Sequence, residues 1–378
     1  MIDSPIGCVK INPALGAGFF MCGMMRLVGY LIVALLMVGL LSTASPLEAQ
    51  EVHVEAQLSP ELAVQLGRNS HLDGRMSYEV HRRGFIGDIA VMDLELQEAG
   101  SLPPLIVMVG GSEGGWYGGS SGLSPAGHLG QLLADMGYSI RNLNHFGREE
   151  LAGHWGEDPR PPRLFDRDLE PFAEVLNDAR QTRGAVNRCV GFVGVSRGGE
   201  LTLLLAAYES DLNTSETRLF DAAIAAVPSY VVWQGPHRTL RIRSSWALAG
   251  EPLDFVPFPW LSIHTPRVLL SRSSSTASSE QALRNHAAVQ RALIPVERIE
   301  APVLMQGALE DHLWPSAEMA DAAFRRAEAL NPDHGLVLKQ YPVDHYVLSY
   351  PDAVADAAIF LDDTLRQTHS EGRCEASF

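Results

Sequence analysis

The sequence CVGFVGVSRGGELTLLLAAYES, residues 189–210, is the strongest indication of the fold of this chain. It begins with a short apolar run, continues through Gly194, Ser196 and Gly198, and passes directly into a segment with helical spacing. A G-x-S-x-G sequence between a buried strand and a helix is typical of a nucleophile elbow. There the serine stands on a tight turn, and the glycines avoid clashes that larger residues would make. The pattern therefore predicts Ser196 as a nucleophile.

Two further windows match the same pattern and compete with this assignment. They are centred on Ser112 in GGSEG and on Ser120 in GGSSG. A strand-like run precedes Ser112, but the glycine-rich sequence continues beyond it before any helix begins, and no strand precedes Ser120. The elbow needs both a strand and a helix, so Ser196 is favoured. The alternative for Ser196 is a small residue that merely packs a strand–helix turn.

Short apolar runs alternate with longer amphipathic runs beyond residue 50, as strands and helices do. Predicted strands lie at 105–109, 138–143, 189–193, 222–227, 302–305 and 336–341, after a hairpin at 76–97. Predicted helices lie at 165–181, 200–208 and 351–366. Strands separated by helices imply a mainly parallel central sheet flanked by helices. Together with the elbow at Ser196, this pattern predicts the α/β-hydrolase fold.

One segment departs from this alternation. Residues 234–298 are rich in proline, tryptophan and serine, and include the low-complexity stretch SRSSSTASSE at 271–280. We interpret this segment as an insertion over the sheet edge, part ordered and part loop. The remaining chain is assigned as a single α/β-hydrolase domain over 50–368 and a polar tail over 369–378. Cys374 lies on that tail, whereas Cys189 opens a strand and is expected to be a buried structural residue.

The N-terminal segment resembles a secretory signal over residues 1–49. Arg26 precedes a run of fifteen apolar or small residues at 27–41, which small and polar residues follow. Translation could begin at Met24 or Met25, and Ala44 or Ala49 is the small residue expected at the signal cleavage site. The run falls short of the roughly 20 residues that span a bilayer, so we expect export to the periplasm or beyond the cell. Anchoring by an uncleaved segment is the alternative and the only membrane association expected.

Composition limits the partners of the chain. Apolar residues make up 46% of the sequence, and 29 basic against 45 acidic side chains give a formal net charge of −16. Binding to nucleic acid needs a basic face, so no nucleic-acid partner is expected. The sequence contains no CxxC, HExxH, Walker or G-x-G-x-x-G spacing, so neither a metal nor a cofactor is expected.

A nucleophilic serine needs a general base, and the base needs a carboxylate that fixes its tautomer. In this fold the carboxylate and then the histidine follow the serine along the chain. His345 lies between the last predicted strand and the last helix, and is preferred over His312, His334 and His369. Asp311 follows the strand at 302–305 and is the preferred acid, with Glu310 as the alternative. Asp344 directly precedes His345 and is too close in sequence for its carboxylate to bond the imidazole nitrogen that faces away from the serine.

The glycine-rich loop after the first parallel strand has a predicted role of its own. In this fold, a backbone N–H from such a loop and the N–H after the nucleophile together form the oxyanion hole. These donors would be Ser112, with Gly111 or Glu113 as alternatives, and Arg197. The N–H of Arg197 also lies at a helix N-terminus, where the helix dipole favours negative charge.

Several motifs together resemble the catalytic domain of the acyl-CoA thioester hydrolase and bile-acid-CoA:amino-acid N-acyltransferase family. The elbow GVSRGGE, with Glu200, is similar to that family's G-x-S-[KR]-G-x-E. DHLWPS at 311–316 and YPVDH at 341–345 resemble its acid and histidine segments. SSWALAGEPLDFVPF at 244–258 and the glycine-rich GGSEGG also look like family segments, and the resemblance covers roughly 100–350.

The resemblance implies a serine hydrolase that cleaves acyl thioesters, with Ser196 as nucleophile, Asp311 as acid and His345 as base. Serine instead of cysteine at the elbow favours hydrolysis over acyl transfer to an amine. Too few residues lie between the predicted signal and the first strand for the family's N-terminal β-sandwich domain, so we expect the catalytic domain alone.

The expected partner is a small-molecule acyl ester or acyl thioester, and the sequence leaves three functions open. A basic cluster could bind CoA phosphates, but an ordinary solvated face is the favoured interpretation; the cluster comprises His237, Arg238, Arg241 and Arg243. Export instead favours a carboxylesterase or a dienelactone-hydrolase-like enzyme, because CoA esters belong to the cytoplasm. The third alternative is a catalytically inactive α/β-hydrolase that serves as a binding module.

Overall fold

The computed structural model describes residues 78–96, 101–112, 127–145, 164–213, 217–235, 242–259 and 276–378. All of these residues fall within one compact unit. The predicted signal over 1–49 lies outside the described residues. Within the described part of the chain, no helix is both long and apolar enough to cross a membrane.

An eight-stranded sheet forms the centre of the molecule. Its strands are β1 (Tyr78–Ile86), β2 (Ile89–Leu96), β3 (Leu105–Val109), β4 (Ser139–Asn144), β6 (Val190–Val195), β7 (Ala222–Ala226), β10 (Val303–Ala308) and β11 (Leu336–Tyr341). Their order across the sheet is β1-β2-β4-β3-β6-β7-β10-β11. The hairpin β1–β2 joins β4 in antiparallel fashion, and all pairs from β4 to β11 are parallel.

Helices cover both faces of the sheet. They are α1 (Gly127–Asp135), α2 (Glu170–Gln181), α3 (Arg197–Ala207), α4 (Glu209–Leu212), α5 (Thr276–Leu283), α6 (His286–Ala292), α7 (Ser316–Leu330) and α8 (Pro351–Ser370). Helices α2, α3 and α7 share one apolar core with the sheet, and α1 and α8 share the other. Strands β3, β7 and β10 are buried along their whole length, as parallel strands covered on both faces are. The predicted α/β-hydrolase architecture is confirmed.

The helix predicted at 165–181 begins five residues later than expected, at Glu170. Asp166 has a φ of +42°, which interrupts a helix, and Pro171 in the first turn favours a helix start there. The residues before α2 instead contribute β5 (Arg167–Asp168) to a small second sheet with β8 (Trp246–Leu248) and β9 (Glu251–Pro252).

The predicted insertion over 234–298 contains regular structure in its described parts. Strands β8 and β9 and helices α5 and α6 all lie within it. Residues 276–280 of the serine-rich stretch belong to α5, so the low-complexity composition does not mark a loop throughout. Residues 236–241 and 260–275 lie outside the described residues.

The C-terminal segment is not a free polar tail. Helix α8 continues to Ser370, and Cys374 forms a disulfide with Cys189, across a sequence separation of 185 residues. Glu375 then adds a short parallel bridge beside the start of β6, where its carbonyl oxygen accepts the Cys189 N–H at 2.9 Å. The composition of the segment is polar, but its backbone and Cys374 are part of the packed structure because the disulfide and this bridge hold them there.

Candidate active site

Ser196 occupies the sharp turn between β6 and α3. Its backbone has φ +58° and ψ −113°, a conformation that L-residues rarely adopt. The turn is held from both sides, because the Ser196 N–H donates to the Ala226 carbonyl at 2.9 Å and its own carbonyl accepts the Glu200 N–H at 3.0 Å. The side chain is consequently presented at the carboxyl edge of the sheet.

Three glycines around Ser196 are required by close backbone approaches. A Cβ on Gly194 would lie 2.0 Å from the carbonyl oxygen of Gly198, and a Cβ on Gly198 would lie 2.6 Å from that of Gly110. A Cβ on Gly199 would lie 2.6 Å from the Ala226 carbonyl oxygen. No side chain fits at these distances, so the G-x-S-x-G-G sequence is dictated by packing of α3 against neighbouring strands.

Asp311 and His345 form a hydrogen-bonded pair on two adjacent loops. His345 Nδ1 lies 2.8 Å from Asp311 Oδ2. The loop after β10 carries Asp311 and the loop after β11 carries His345, and parallel strands place both at the same edge of the sheet. Backbone hydrogen bonds also join the loops, with Leu309 N donating to Tyr341 O at 2.9 Å.

The surroundings of Asp311 stabilise its ionised form. Its Oδ1 accepts the backbone N–H groups of Leu313 at 2.9 Å and Trp314 at 3.2 Å, while Oδ2 faces His345. Burial alone would raise the pKa of Asp311, but the hydrogen bond and charge of His345 and the hydrogen bonds from Ser316 and Leu313 outweigh burial and lower that pKa. The carboxylate can therefore fix the Nδ1–H tautomer of the imidazole, which leaves Nε2 as the basic nitrogen.

Ser196 and His345 line one cavity of about 440 Å³. Ser112 and Gly111, two of the predicted oxyanion-loop residues, line it as well. The remaining lining residues are Gly127, His128, Val195, Leu313, Tyr346, Leu348 and Ser349. Glu113 lies outside the described residues. Arg197 is the first residue of α3, so its N–H lies at that helix N-terminus.

The competing acids and bases either have other hydrogen-bond partners or are exposed. The Asp344 carboxylate accepts the Tyr346 N–H at 2.9 Å. His334 accepts the Leu336 N–H at 3.0 Å, in the turn before β11. The His369 ring lies 3.1 Å from the Cys374 carbonyl oxygen, and Glu310 and His312 are exposed neighbours of Asp311. Asp311 is the carboxylate that the structure brings to His345.

Sequence reasoning missed several residues around the site. Leu313 and Trp314 lie two and three residues after Asp311, and Tyr346 directly follows His345, so their closeness in sequence to the predicted acid and base was a usable signal. His128 is the second residue of α1, a helix that no predicted element included, and nothing in its local sequence points to the cavity.

One member of the predicted basic cluster lies in the described residues. Arg243 forms an ion pair with Asp166, so its charge is balanced within the protein. His237, Arg238 and Arg241 lie outside the described residues.

Residues 168–351 match the family model described as BAAT / Acyl-CoA thioester hydrolase C terminal. The chain is 27% identical to acyl-coenzyme A thioesterase 6 of Mus musculus over 62% of this chain and 48% of that protein. It is 22% identical to acyl-coenzyme A thioesterase 1 of Mus musculus over 78% of this chain and 63% of that protein. The chain therefore spans about half to two thirds of the length of these relatives. The resemblance inferred from the motifs is confirmed.

Two solved structures are also similar. A dienelactone hydrolase from Klebsiella pneumoniae, described as putative, is 15% identical with a TM-score of 0.47, over 78% of this chain and 100% of that chain. The Pyrococcus furiosus esterase Pf2001 is 11% identical with a TM-score of 0.47, over 80% of this chain and 96% of that chain.

Proposed function

From the match of residues 168–351 to the BAAT and acyl-CoA thioester hydrolase C-terminal domain, we propose that the chain is a serine hydrolase of acyl thioesters. One observation carries the proposal. Ser196, strained at the end of β6, shares a cavity with His345, and His345 is hydrogen-bonded to a carboxylate whose pKa is lowered. Nucleophile, base and orienting acid in this relation are the parts of a Ser-His-Asp triad.

The reaction begins with transfer of the Ser196 hydroxyl proton to Nε2 of His345. Oγ attacks the acyl carbonyl, and the tetrahedral oxyanion receives hydrogen bonds from the backbone N–H groups of Ser112 and Arg197. Asp311 stabilises the imidazolium that forms. The imidazolium returns its proton to the departing thiolate or alkoxide, which leaves an acyl-enzyme on Ser196.

Water completes the cycle. His345 takes a proton from a water molecule in the cavity, the hydroxide adds to the acyl-enzyme, and collapse of the second tetrahedral intermediate expels Ser196 and releases the acid. Each proton that His345 accepts is returned in the same half-reaction.

A second candidate is an exported carboxylesterase or dienelactone-hydrolase-like enzyme that uses the same triad. The Cys189–Cys374 disulfide favours it, because disulfides persist in oxidising compartments outside the cytoplasm. It agrees with our proposal that residues 1–49 direct export, or anchor the chain to the membrane if they are not removed. An exported enzyme would meet simple esters rather than CoA esters.

One experiment compares these functions. The chain from Gln50 is assayed on an acyl-CoA and on a simple ester of the same acyl group, with the Ser196→Ala variant as control. A higher kcat/KM for the thioester supports the first function, and a higher value for the simple ester supports the second. Undiminished turnover by Ser196→Ala would refute both. A wild-type protein that neither turns over nor reacts with a fluorophosphonate probe would instead be an inactive binding module.

A further inference from the structure

A buried ion pair lies directly beside the nucleophile. Arg197 Nη1 is 2.8 Å from Glu200 Oε2, and the two residues are 4% and 0% exposed. Removing two charges from water costs about as much as their attraction returns, so such a pair contributes little net stability. Because Arg197 directly follows Ser196, the pair is placed to influence the position of the nucleophile instead.

Glu200 joins α3 to two other parts of the chain, the segment after β7 and the insertion. Its Oε1 accepts the Trp233 backbone N–H at 3.0 Å and the Trp246 indole N–H at 2.9 Å, while Oε2 faces Arg197. Trp233 follows β7, and Trp246 begins β8. One carboxylate on α3 thus fixes two separate segments that pack behind the site.

Arg197 connects the elbow with the loop that carries the acid. Its Nη2 donates to the Gln234 carbonyl at 2.7 Å, and its guanidinium lies 5.5 Å from the centre of the Trp314 ring. The same Trp314 donates its backbone N–H to Asp311 Oδ1 at 3.2 Å, and its ring forms a T-shaped contact with the His345 ring, with the ring centres 6.0 Å apart. Contacts therefore run from Glu200 through Arg197 and Trp314 to both members of the acid–base pair.

We infer that Arg197 and Glu200 are positioning residues. Their side chains hold the turn at Ser196 in the correct position relative to the Asp311–His345 pair. The inference rests on the proposed function, and it gives the Arg197 side chain a role separate from the one proposed for its backbone N–H. Neither side chain reaches the cavity, because neither is among its lining residues. They act on the chemistry only through the geometry of the residues that do.

The test uses the purified protein and a neutral double variant, Arg197→Met with Glu200→Gln. Replacing both charges avoids an unpaired buried charge, so the melting temperature is expected to stay within a few degrees of the wild type. Exhaustive labelling with a fluorophosphonate probe counts competent serines, and kcat is then expressed per labelled site. We expect a loss of about 10- to 100-fold in kcat per site with KM within about twofold, because misplacement of about 1 Å has effects of this size.

A matched control and a conservative variant complete the design. Arg180 and Asp221 form a similarly buried pair at 3.1 Å, near the opposite end of β6, and Arg180→Met with Asp221→Asn should leave kcat per site unchanged. Arg197→Lys keeps the charge but lacks the planar fork that reaches Glu200, Gln234 and Trp314 together, so its kcat should be intermediate. This variant tests the inference if the double variant does not fold.

The possible results distinguish failure of the positioning role from failure of the proposed hydrolase function. Wild-type turnover that Ser196→Ala abolishes shows that the proposed function holds. If kcat per labelled site in Arg197→Lys and in the double variant then equals the wild-type value, the positioning role is overturned. An equal loss in the Arg180–Asp221 control would also overturn it, because the effect would then follow from any buried pair. A wild type that shows no serine-dependent turnover overturns both.

Discussion

The Cys189–Cys374 disulfide offers the most direct test of how the C-terminal segment contributes to the fold. It joins the residue before β6 to the segment after α8, and the loop that it closes contains Ser196, Asp311 and His345. Both cysteines are buried. The perturbation is replacement of both by alanine, or reduction of the wild-type bond, in the chain from Gln50, which carries these two cysteines and no others.

The expected magnitude follows from the length of the closed loop. A cross-link restricts the unfolded chain, and for a separation of 185 residues the loop-entropy relation gives about 5 kcal/mol at 25 °C. Measured losses on removing native disulfides are typically about 2–5 kcal/mol, so we expect a loss within that range. At about 2–4 °C per kcal/mol for a domain of this size, the melting temperature should fall by roughly 10 °C.

Urea unfolding at equilibrium measures this loss, with four samples: wild type and the Cys189→Ala/Cys374→Ala variant, each with and without reductant. Reductant should destabilise the wild type and leave the variant unchanged. Turnover at 25 °C should survive, because the bond lies near the start of β6 and Ser196 follows its end. A change below about 1 kcal/mol in the reduced wild type would refute the reasoning. It would mean that the backbone bridge at Glu375 holds the segment without the bond.

Three further predictions concern the glycine at the elbow, the predicted acid and a buried histidine. Gly198→Ala brings a Cβ to 2.6 and 2.8 Å from two backbone carbonyl oxygens and should cost about 3 kcal/mol or more in urea unfolding. Gly184→Ala, with φ +77° in open space, should cost only about 1–2 kcal/mol, and equal losses would contradict the packing explanation. Asp311→Asn should lower kcat by about 10³- to 10⁴-fold with little change in KM, since the amide no longer fixes the His345 tautomer; activity near wild type would exclude Asp311 as the acid. Burial, helped by a nearby arginine charge, lowers the pKa of His145 from 6.5 to about 3, so the unfolded state binds the extra proton between these values. Stability should therefore fall as pH falls from 6.5 towards 3, by up to about 1.4 kcal/mol per pH unit, and His145→Phe should show a shallower dependence; identical pH profiles of unfolding would contradict this.

Features that depend on residues close together along the chain could be predicted from the amino-acid sequence. The elbow at Ser196 is a continuous strand, turn and helix, so periodicity and glycine spacing identify it without knowledge of the rest of the fold. His345 could be selected because it lies between a strand and a helix in the last part of the chain. Asp311 could be preferred over Glu310 from its position and from the resemblance of the DHLWPS segment to a known family.

Contacts between side chains far apart along the chain could be identified only from the folded structure. The path from Glu200 through Arg197 to Trp314 joins segments more than one hundred residues apart, and it exists because β6, β7 and β10 are neighbours in the sheet. Hydropathy and composition report on local burial and cannot specify such pairings, which is also why Cys374 looked like part of a polar tail. The start of α2 was missed for a related reason: residues 167–168 pair with β8, and that partner lies almost eighty residues away along the chain.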